Sequence, residues 1–533
     1  MKTSLEVLRS YPPHDYTLYG ALLSRKAARG DAPMILDESG RGMTWNEGVA
    51  ACESLARALA ARGVKTGDRV ALIARNGPGH VLLLFALARL GAILVPLNPE
   101  LGVAELRFAL GHAQVSATVV DEAAHVAVSE ALAEAGLDGW CAYVDGPVRN
   151  GLASLLTMQE EAPELTLPAP PSADTPGVMI FTSGTTGYPK GVLHSQRSML
   201  LVGEANLGRM QLRPEDRILI VLPFFHVNAL CYSLCGMLAA GCALIVAPRF
   251  SASRFWHIAA DTGATVVNII ETLGSILKSR DRSEFRKDHQ LRVVYGVRLN
   301  AQQVFREDFG IQNLLSGFGM TEIPGVTCNP YGEPCKPGSM GLLAQHPDPE
   351  QPWAACRIVD SEGNDVEVDS VGELWVKTPV CMLGYYRDPK QTAEAFHDGW
   401  FKTGDLVRRD AEGWFFYVSR AKDIIRRRGE NIAGAELDRV VGEHPAVHEA
   451  AAIAVPSELG EDEILVALVL KPGSTLTAKA VADWCRERLA AHKVPRFVAF
   501  VDEIPHTPTH KVAKAQMRQD VSLRSRATDL QTP

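Results

Sequence analysis

The stretch Phe181-Thr182-Ser183-Gly184-Thr185-Thr186-Gly187-Tyr188-Pro189-Lys190-Gly191 constrains this chain more than any other. The apolar run Val178-Met179-Ile180-Phe181 in front of it reads as a buried strand. The pattern behind it, with Val192, Met199, Leu200 and Val202, suits a helix. Between the two stand three glycines, four Ser/Thr hydroxyls and one lysine. Glycine lets a backbone approach an anion, amides and hydroxyls donate to its oxygens, and lysine supplies charge. The stretch therefore reads as a phosphate-binding loop. It is not the common P-loop, which carries Gly directly before Lys; here Pro189 takes that place and Gly191 follows Lys190.

The chain around this loop alternates helix and strand. Thr44 and Glu47 form a capping box that opens a helix to about Arg62, closed by Gly63. Residues 69–74 read as a strand, residues 80–90 as a helix with Val81, Leu84 and Leu87 on its apolar side, and residues 92–97 as a strand. A helix carrying Leu106 and Leu110 and a strand at 117–120 follow, and 161–176, with five prolines, is an extended connector. Strands separated by helices imply an α/β fold with doubly wound parallel sheets. Residues 217–249 carry no formal charge between their two end arginines, as a membrane span would. Pro223, Asn228, Gly236 and Gly241 cut them into strand, helix and strand, so a βαβ unit is expected instead.

At 533 residues the chain has room for two or more domains. Its net charge of −8 argues against nucleic acid as a partner, because phosphate backbones demand a basic face. The ten cysteines lack metal spacing. Cys231 and Cys235 sit closest, inside an apolar stretch, and read as reduced core residues of a cytoplasmic protein. The sequence leaves a homodimer open.

Further motifs carry chemistry. Pro223-Phe224-Phe225-His226-Val227-Asn228 ends a strand and begins a helix; His226 is either a core histidine or a wall of a binding site. Gly317-Phe318-Gly319-Met320-Thr321-Glu322 joins an aromatic face, a hydroxyl and a carboxylate on one turn. That set suits a nucleotide triphosphate, with Phe318 on the base, Thr321 donating to the α-phosphate and Glu322 ligating Mg2+ through hard oxygen. Asp405, in Asp398-Gly399-Trp400-Phe401-Lys402-Thr403-Gly404-Asp405, offers two acceptor oxygens to a pair of ribose hydroxyls. The basic run Arg426-Arg427-Arg428 is either a solvated strand face or a receiver of phosphates.

Residues 182–191 match throughout the Thr-Ser-Gly-Thr-Thr-Gly-x-Pro-Lys-Gly signature of the adenylate-forming superfamily, which holds acyl-CoA synthetases, luciferases and adenylation domains. The resemblance runs, with motifs in family order, from Thr182 to Lys511, and it implies an ATP-dependent carboxylic acid–CoA ligase. Such an enzyme makes an acyl-adenylate and then a thioester, using ATP, Mg2+ and CoA. A transfer of the acyl group to a carrier-protein thiol or an amine is the alternative. By the resemblance, Thr182, Ser183, Gly184, Thr185, Thr186, Gly187 and Lys190 hold phosphates. Gly317, Phe318, Gly319, Met320, Thr321, Asp405, Arg420 and Lys511 complete the nucleotide site, and Lys511 is the catalytic lysine. His226, Asn228 and Gly317 line the acyl site. Ser419-Arg420-Ala421-Lys422-Asp423 resembles the family's hinge, with Lys422 as pivot. A large N-terminal domain (1–421) and a small, mobile α+β domain (422–533) are thus expected, with Arg428 and Gly429 facing CoA. The stretches Pro-Phe-Phe-His-Val-Asn and Arg-Gly-Glu-Asn-Ile look similar to the crotonobetaine/carnitine–CoA ligase branch. Glu271, where a buried strand runs into a carboxylate, is either a helix-start residue or a group facing the acyl pocket. In the pocket it would need a cationic or hydrogen-bond-donating acyl tail.

Overall fold

The computed structural model describes residues 2–182, 189–297, 299–427, 430–457, 462–507 and 512–530. The chain divides into two compact units. One comprises Met1–Thr182, Pro189–Ala355 and Lys377–Phe401, and the other Cys356–Val376 and Lys402–Pro533.

The first unit is built on two sheets, each seven-stranded among the described residues. One runs, in lateral order, Asn313–Leu315, Val293–Tyr295, Val266–Asn268, Arg217–Ile220, Ala243–Val246, Pro33–Asp37 and Gly42–Thr44, parallel except for the last hairpin. The other runs Gly384–Tyr385, Lys190–Ser195, Pro176–Thr182, Ile93–Leu97, Arg69–Ile73, Ala117–Val120 and Trp140–Tyr143. The doubly wound parallel character read from the helix–strand alternation holds for the body of both, and the second adds antiparallel pairing at one edge, where Gly384–Tyr385 and Pro176–Thr182 flank Lys190–Ser195. The capping box at Thr44 and Glu47 opens the helix Trp45–Ala61 as expected.

Two readings change. Lys190–Ser195 is a strand, antiparallel to Pro176–Thr182 with Phe181 opposite Gly191, and the helix begins only at Gln196. The phosphate loop therefore joins the two strands of a hairpin, not a strand to a helix. Gly191, Val192, His194 and Ser195 are buried and only Lys190 and Leu193 are half-buried, so this strand carries no clean alternation to mark it in the sequence. The helix Pro78–Leu90 is buried on all sides from His80 to Leu90 apart from Arg89, not only along Val81, Leu84 and Leu87. It shares one hydrophobic core with Trp45–Ala61 and with Gln196–Met210, so no face of it is left for water.

The uncharged stretch is the expected βαβ unit: Arg217–Ile220 and Ala243–Val246 are parallel neighbours with Leu244 opposite Ile218. The helix between them is π-helical over Asn228–Leu234 and α-helical over Cys235–Ala240. Among the described residues no helix is long and apolar enough to cross a membrane. All ten cysteines are free, and burial pushes the Cys231 thiol up to about 12.

In the second unit, strands Val371–Lys377, Trp400–Arg409 and Phe415–Arg420 are neighbours. The hairpin Ile424–Arg427 and Glu430–Ala433 follows. The sheet Val447–Pro456, Asp462–Leu470, Phe497–Phe500 and Thr528–Asp529 carries helices Gly434–Gly442 and Ala478–Arg486, an α+β arrangement. The basic run at 426–428 is not uniformly solvated. Arg427 is buried, paired to Glu463 at 2.6 Å and donating to the carbonyls of His492 and Val494, which makes it a structural clamp. Burying an arginine is costly unless its charge is paired and its donors find acceptors, as here.

Helix Gln196–Met210 packs on Cys235–Ala240 through Gly203, where a Cβ would stand 2.2 Å from the Cys235 carbonyl oxygen. Gly203→Val should force the two helices apart and cost about 1–3 kcal/mol. A urea midpoint lowered at unchanged m-value would show it, and an unaltered midpoint would mean that this contact is not rigid.

Candidate active site

Thr182 and Lys190 face each other across the hairpin at the mouth of the loop. Ser183, Gly184, Thr185, Thr186 and Gly187 lie outside the described residues. Lys190 is half-buried, with its ammonium 4.6 Å from the centroid of the Tyr385 ring, within cation–π range. The hydroxyl of Tyr385 donates to Glu322 Oε1 at 2.8 Å, and the Met382 amide donates to the Glu322 carbonyl at 2.8 Å. Tyr385 thus ties the loop's lysine to the carboxylate of the second motif.

That motif is held from several sides. Gly317–Phe318 pairs with Thr327–Cys328, and the Phe318 amide donates to Thr327 Oγ1 at 3.0 Å. Met320 and Ile323 exchange backbone hydrogen bonds at 3.2 and 3.3 Å, which turns the chain between them and sets Thr321 and Glu322 in the bend. Glu322 is buried, whereas Gly317, Phe318, Met320 and Thr321 are half-buried and Gly319 is exposed. The Thr321 carbonyl accepts from His194 Nε2 at 2.6 Å. A carbonyl can only accept, so Nε2 carries the proton, and Nδ1 lies 3.4 Å from Ser198 Oγ. Burial pushes the His194 imidazole down to about 4, so it is neutral at physiological pH.

His226 is half-buried in the turn that follows buried Phe224, and its amide donates to the Pro223 carbonyl at 3.1 Å. The Phe225 ring stands edge-on to the imidazole with centroids 4.5 Å apart. Asn228 opens the π-helical segment, a geometry that recurs at functional sites. Its Oδ1 is buried and finds no hydrogen-bond partner among the described residues. Glu271 is the first residue of helix Glu271–Ser279 and is exposed. The buried carboxylate expected of the pocket reading is therefore not found; the position matches the helix-start reading, where negative charge meets the positive end of the dipole.

In the second unit Asp405 is buried and lies directly opposite Arg420 across antiparallel strands. Arg420 Nε stands 2.8 Å from Asp405 Oδ1, and its Nη1 donates to the Thr403 carbonyl at 3.1 Å. The Asp405 amide donates to Thr403 Oγ1 at 3.0 Å. The Lys422 backbone lies in the short 3-10 turn Ala421–Asp423, and Asp423 is held by Arg518 at 2.8 Å. Arg428, Gly429 and Lys511 lie outside the described residues.

Two residues around this site escaped the sequence reading, His194 and Tyr385. Once 190–195 is a strand, the period of two sets Lys190 and His194 on one face, which is the signal a helical reading hides. Tyr385 offers none, because its partners Lys190 and Glu322 are distant in sequence.

The buried imidazoles of His194 and His80 both titrate near 4, below the ordinary 6.5. The unfolded chain therefore binds more protons than the native one between about pH 6.5 and 4, and stability falls as pH drops through that window. His194→Gln keeps a donor for Thr321 but cannot titrate. It should remove about 1 kcal/mol per pH unit from the slope of unfolding free energy between pH 6 and 5. Denaturant titrations at several pH values read that slope, and an unchanged slope would contradict the assignment.

Residues 23–386 match the AMP-binding enzyme family, and residues 436–511 match the AMP-binding enzyme C-terminal domain. The chain is 32% identical to a sulfoacetate–CoA ligase of Cupriavidus necator, covering 95% of this chain and 98% of the relative. It is 28% identical to a crotonobetaine/carnitine–CoA ligase of Escherichia coli O157:H7, covering 86% of this chain and 89% of the relative. Among solved structures, ATP-bound MatB from Rhodopseudomonas palustris superposes with a TM-score of 0.84 at 26% identity, covering 95% of this chain and 98% of the other. With both family regions present in order, and with the loop, the turn motif and the Asp405–Arg420 pair within them or between them, the chain belongs to the AMP-binding enzyme family.

Proposed function

We propose how the residues of this chain divide the work of an ATP-dependent carboxylic acid–CoA ligase, which is the activity its relatives and its fold support. The carrying observation is the link from Lys190 through Tyr385 to Glu322. It fixes a cation for phosphates and a hard carboxylate together, as a triphosphate requires.

In the first half-reaction an oxygen of the substrate carboxylate attacks the α-phosphorus of ATP. The bond to the β-phosphate oxygen breaks, giving acyl-adenylate and pyrophosphate. Such chemistry rests on positioning and charge neutralisation. The loop 182–191 holds the β- and γ-phosphates, Thr321 donates to the α-phosphate, Phe318 stacks on adenine, and Asp405 with Arg420 receives the ribose. Lys511 bridges the carboxylate and the α-phosphate. Among the described residues no cluster of three or more His, Cys, Asp or Glu forms a metal cage. Mg2+ needs none, since it binds through one carboxylate and substrate phosphates, and Glu322 fits as that carboxylate. When bound, the ion would offset phosphate charge.

In the second half-reaction the domain 422–533 turns about Lys422, withdraws Lys511 and presents Arg428 and Gly429 to CoA. The thiol sulfur attacks the acyl carbon and AMP leaves. The location is cytoplasmic, a reading supported by free cysteines such as Cys231 and Cys235, whose thiols burial pushes up and so keeps inert. The acid is small and carries a polar or charged tail, as the sulfoacetate and carnitine relatives suggest by their names.

Pyrophosphate release measured over a panel of carboxylic acids, with and without CoA, tests the activity; release without any thioester product would favour the carrier-thiol or amine acceptor. Lys511→Ala should slow acyl-adenylate formation about 10²–10³-fold while leaving conversion of supplied acyl-adenylate to thioester nearly intact. Equal loss of both halves would refute the division of labour. Lys422→Pro fixes one backbone dihedral and restricts Ala421. It should spare pyrophosphate release and depress thioester formation; a wild-type thioester rate would place the pivot elsewhere.

A further inference from the structure

Arg209, near the C-terminus of helix Gln196–Met210, is a buried cation that the mechanism above does not use. Only 8% of the residue is exposed. Nη2 donates to the Gly325 carbonyl at 2.5 Å, but Nε and Nη1 find no hydrogen-bond partner among the described residues. The guanidinium lies 5.7 Å from the centroid of the Trp353 ring, and no carboxylate among the described residues forms an ion pair with it. Arg25, also buried, shows the ordinary alternative. Its Nε and Nη2 donate to the carbonyls of Leu238 and Ala239 and its Nη1 to Ser24 Oγ. A guanidinium stays charged at any physiological pH, so burying one with open donors is costly unless an anion arrives.

The place to which Arg209 points is set by two glycines of the Gly317–Glu322 turn and its continuation. A Cβ on Gly325, whose φ is +68°, would stand 2.1 Å from Arg209 Nη1. A Cβ on Gly319 would stand 2.4 Å from the Gly325 amide and 2.7 Å from Tyr232 Oη. Gly319 is exposed and Gly325 is buried. The backbone thus runs from solvent inward, past the Tyr232 phenol, to the guanidinium. Tyr232 belongs to the π-helical segment that follows His226, and its carbonyl accepts from Asn206 of the Arg209 helix at 2.9 Å. Burial pushes the Tyr232 phenol up to about 12, and the charge of Arg209 opposes that rise. Tyr232 is therefore a neutral phenol beside the cation. One side of the turn, at Thr321 and Glu322, serves phosphates in the reading above. The other side ends on Arg209.

We propose that Arg209 is the specificity-determining residue of the acyl site and that the acid carries a second, anionic group, a carboxylate or sulfonate, at its far end. This rests on the ligase reading. It also decides between tail charges: Glu271 is exposed at a helix start and offers no buried counter-charge for a cation, whereas Arg209 offers a buried one for an anion. A planar guanidinium with parallel N–H groups matches the oxygens of either anion.

The test is a series of acids with one skeleton and different tails: butyrate, succinate, 3-sulfopropionate and 3-(trimethylammonio)propanoate, each read as pyrophosphate release with ATP and CoA. The series is repeated one methylene shorter with propionate, malonate, sulfoacetate and glycine betaine. Wild type should use an anionic tail with kcat/KM at least about 100-fold above its methyl and trimethylammonium counterparts. Arg209→Met should collapse that ratio by about the same factor, mainly through KM, and Arg209→Lys should keep part of it. A wild-type preference for methyl or cationic tails overturns the proposal. So does an Arg209→Met that slows every acid by one common factor, which is what a purely structural anchor for Gly325 would do. Where Arg209→Met fails to fold, Arg209→Lys and the wild-type series decide the matter. If no acid of either series releases pyrophosphate, the ligase reading itself falls and this inference with it.

Discussion

The hydrogen bond from the Tyr385 hydroxyl to the Glu322 carboxylate is the constraint on which the site depends. A carboxylate buried without a donor costs several kcal/mol or takes up a proton. Tyr385 supplies the donor at 2.8 Å, and its ring face receives the ammonium of Lys190. One side chain thereby links Lys190, at the end of the loop, to Glu322 of the turn motif. The strand Gly384–Tyr385 can do this because it lies at the edge of the sheet beside Lys190–Ser195.

The helix Gln196–Met210 plays the complementary part. It lies within the core and still buries Gln196, Glu204, Asn206 and Arg209. Buried polar groups of this kind are normally satisfied by partners. Gln196 bonds the Leu18 amide and the Ala88 carbonyl, Glu204 faces His346, and Asn206 bonds the Tyr232 carbonyl. Among the described residues Arg209 alone of these four keeps donors without a partner, and it does so beside the turn where Gly319 and Gly325 leave no room for side chains of their own. The contrast separates polar groups that tie this helix to its neighbours from one placed for a ligand.

Much of this was legible in the residues. Alternation of apolar runs with capped amphipathic stretches gave the doubly wound character, because local periodicity and caps are written in neighbouring residues. The glycine- and hydroxyl-rich loop, the turn motif and the Asp405 segment were likewise visible, since each is contiguous. The strand at 190–195 was not visible, because a short strand beside a long helix shares its apolar residues with the helix pattern. The all-round burial of Pro78–Leu90 also escaped, since it follows from what packs on both sides of the helix and not from the helix.

The sequence by itself determined most of the kinds of element, the order of the motifs and the family to which they belong. Only the tertiary structure decided that Asp405 is buried opposite Arg420, that Arg427 is spent on Glu463, that Glu271 stands exposed, and that Arg209 is buried with donors unspent. The physical reason is the same in each case. Whether a charge is solvated, paired or left open depends on groups tens or hundreds of residues away in the chain, and that distance closes only when the core packs.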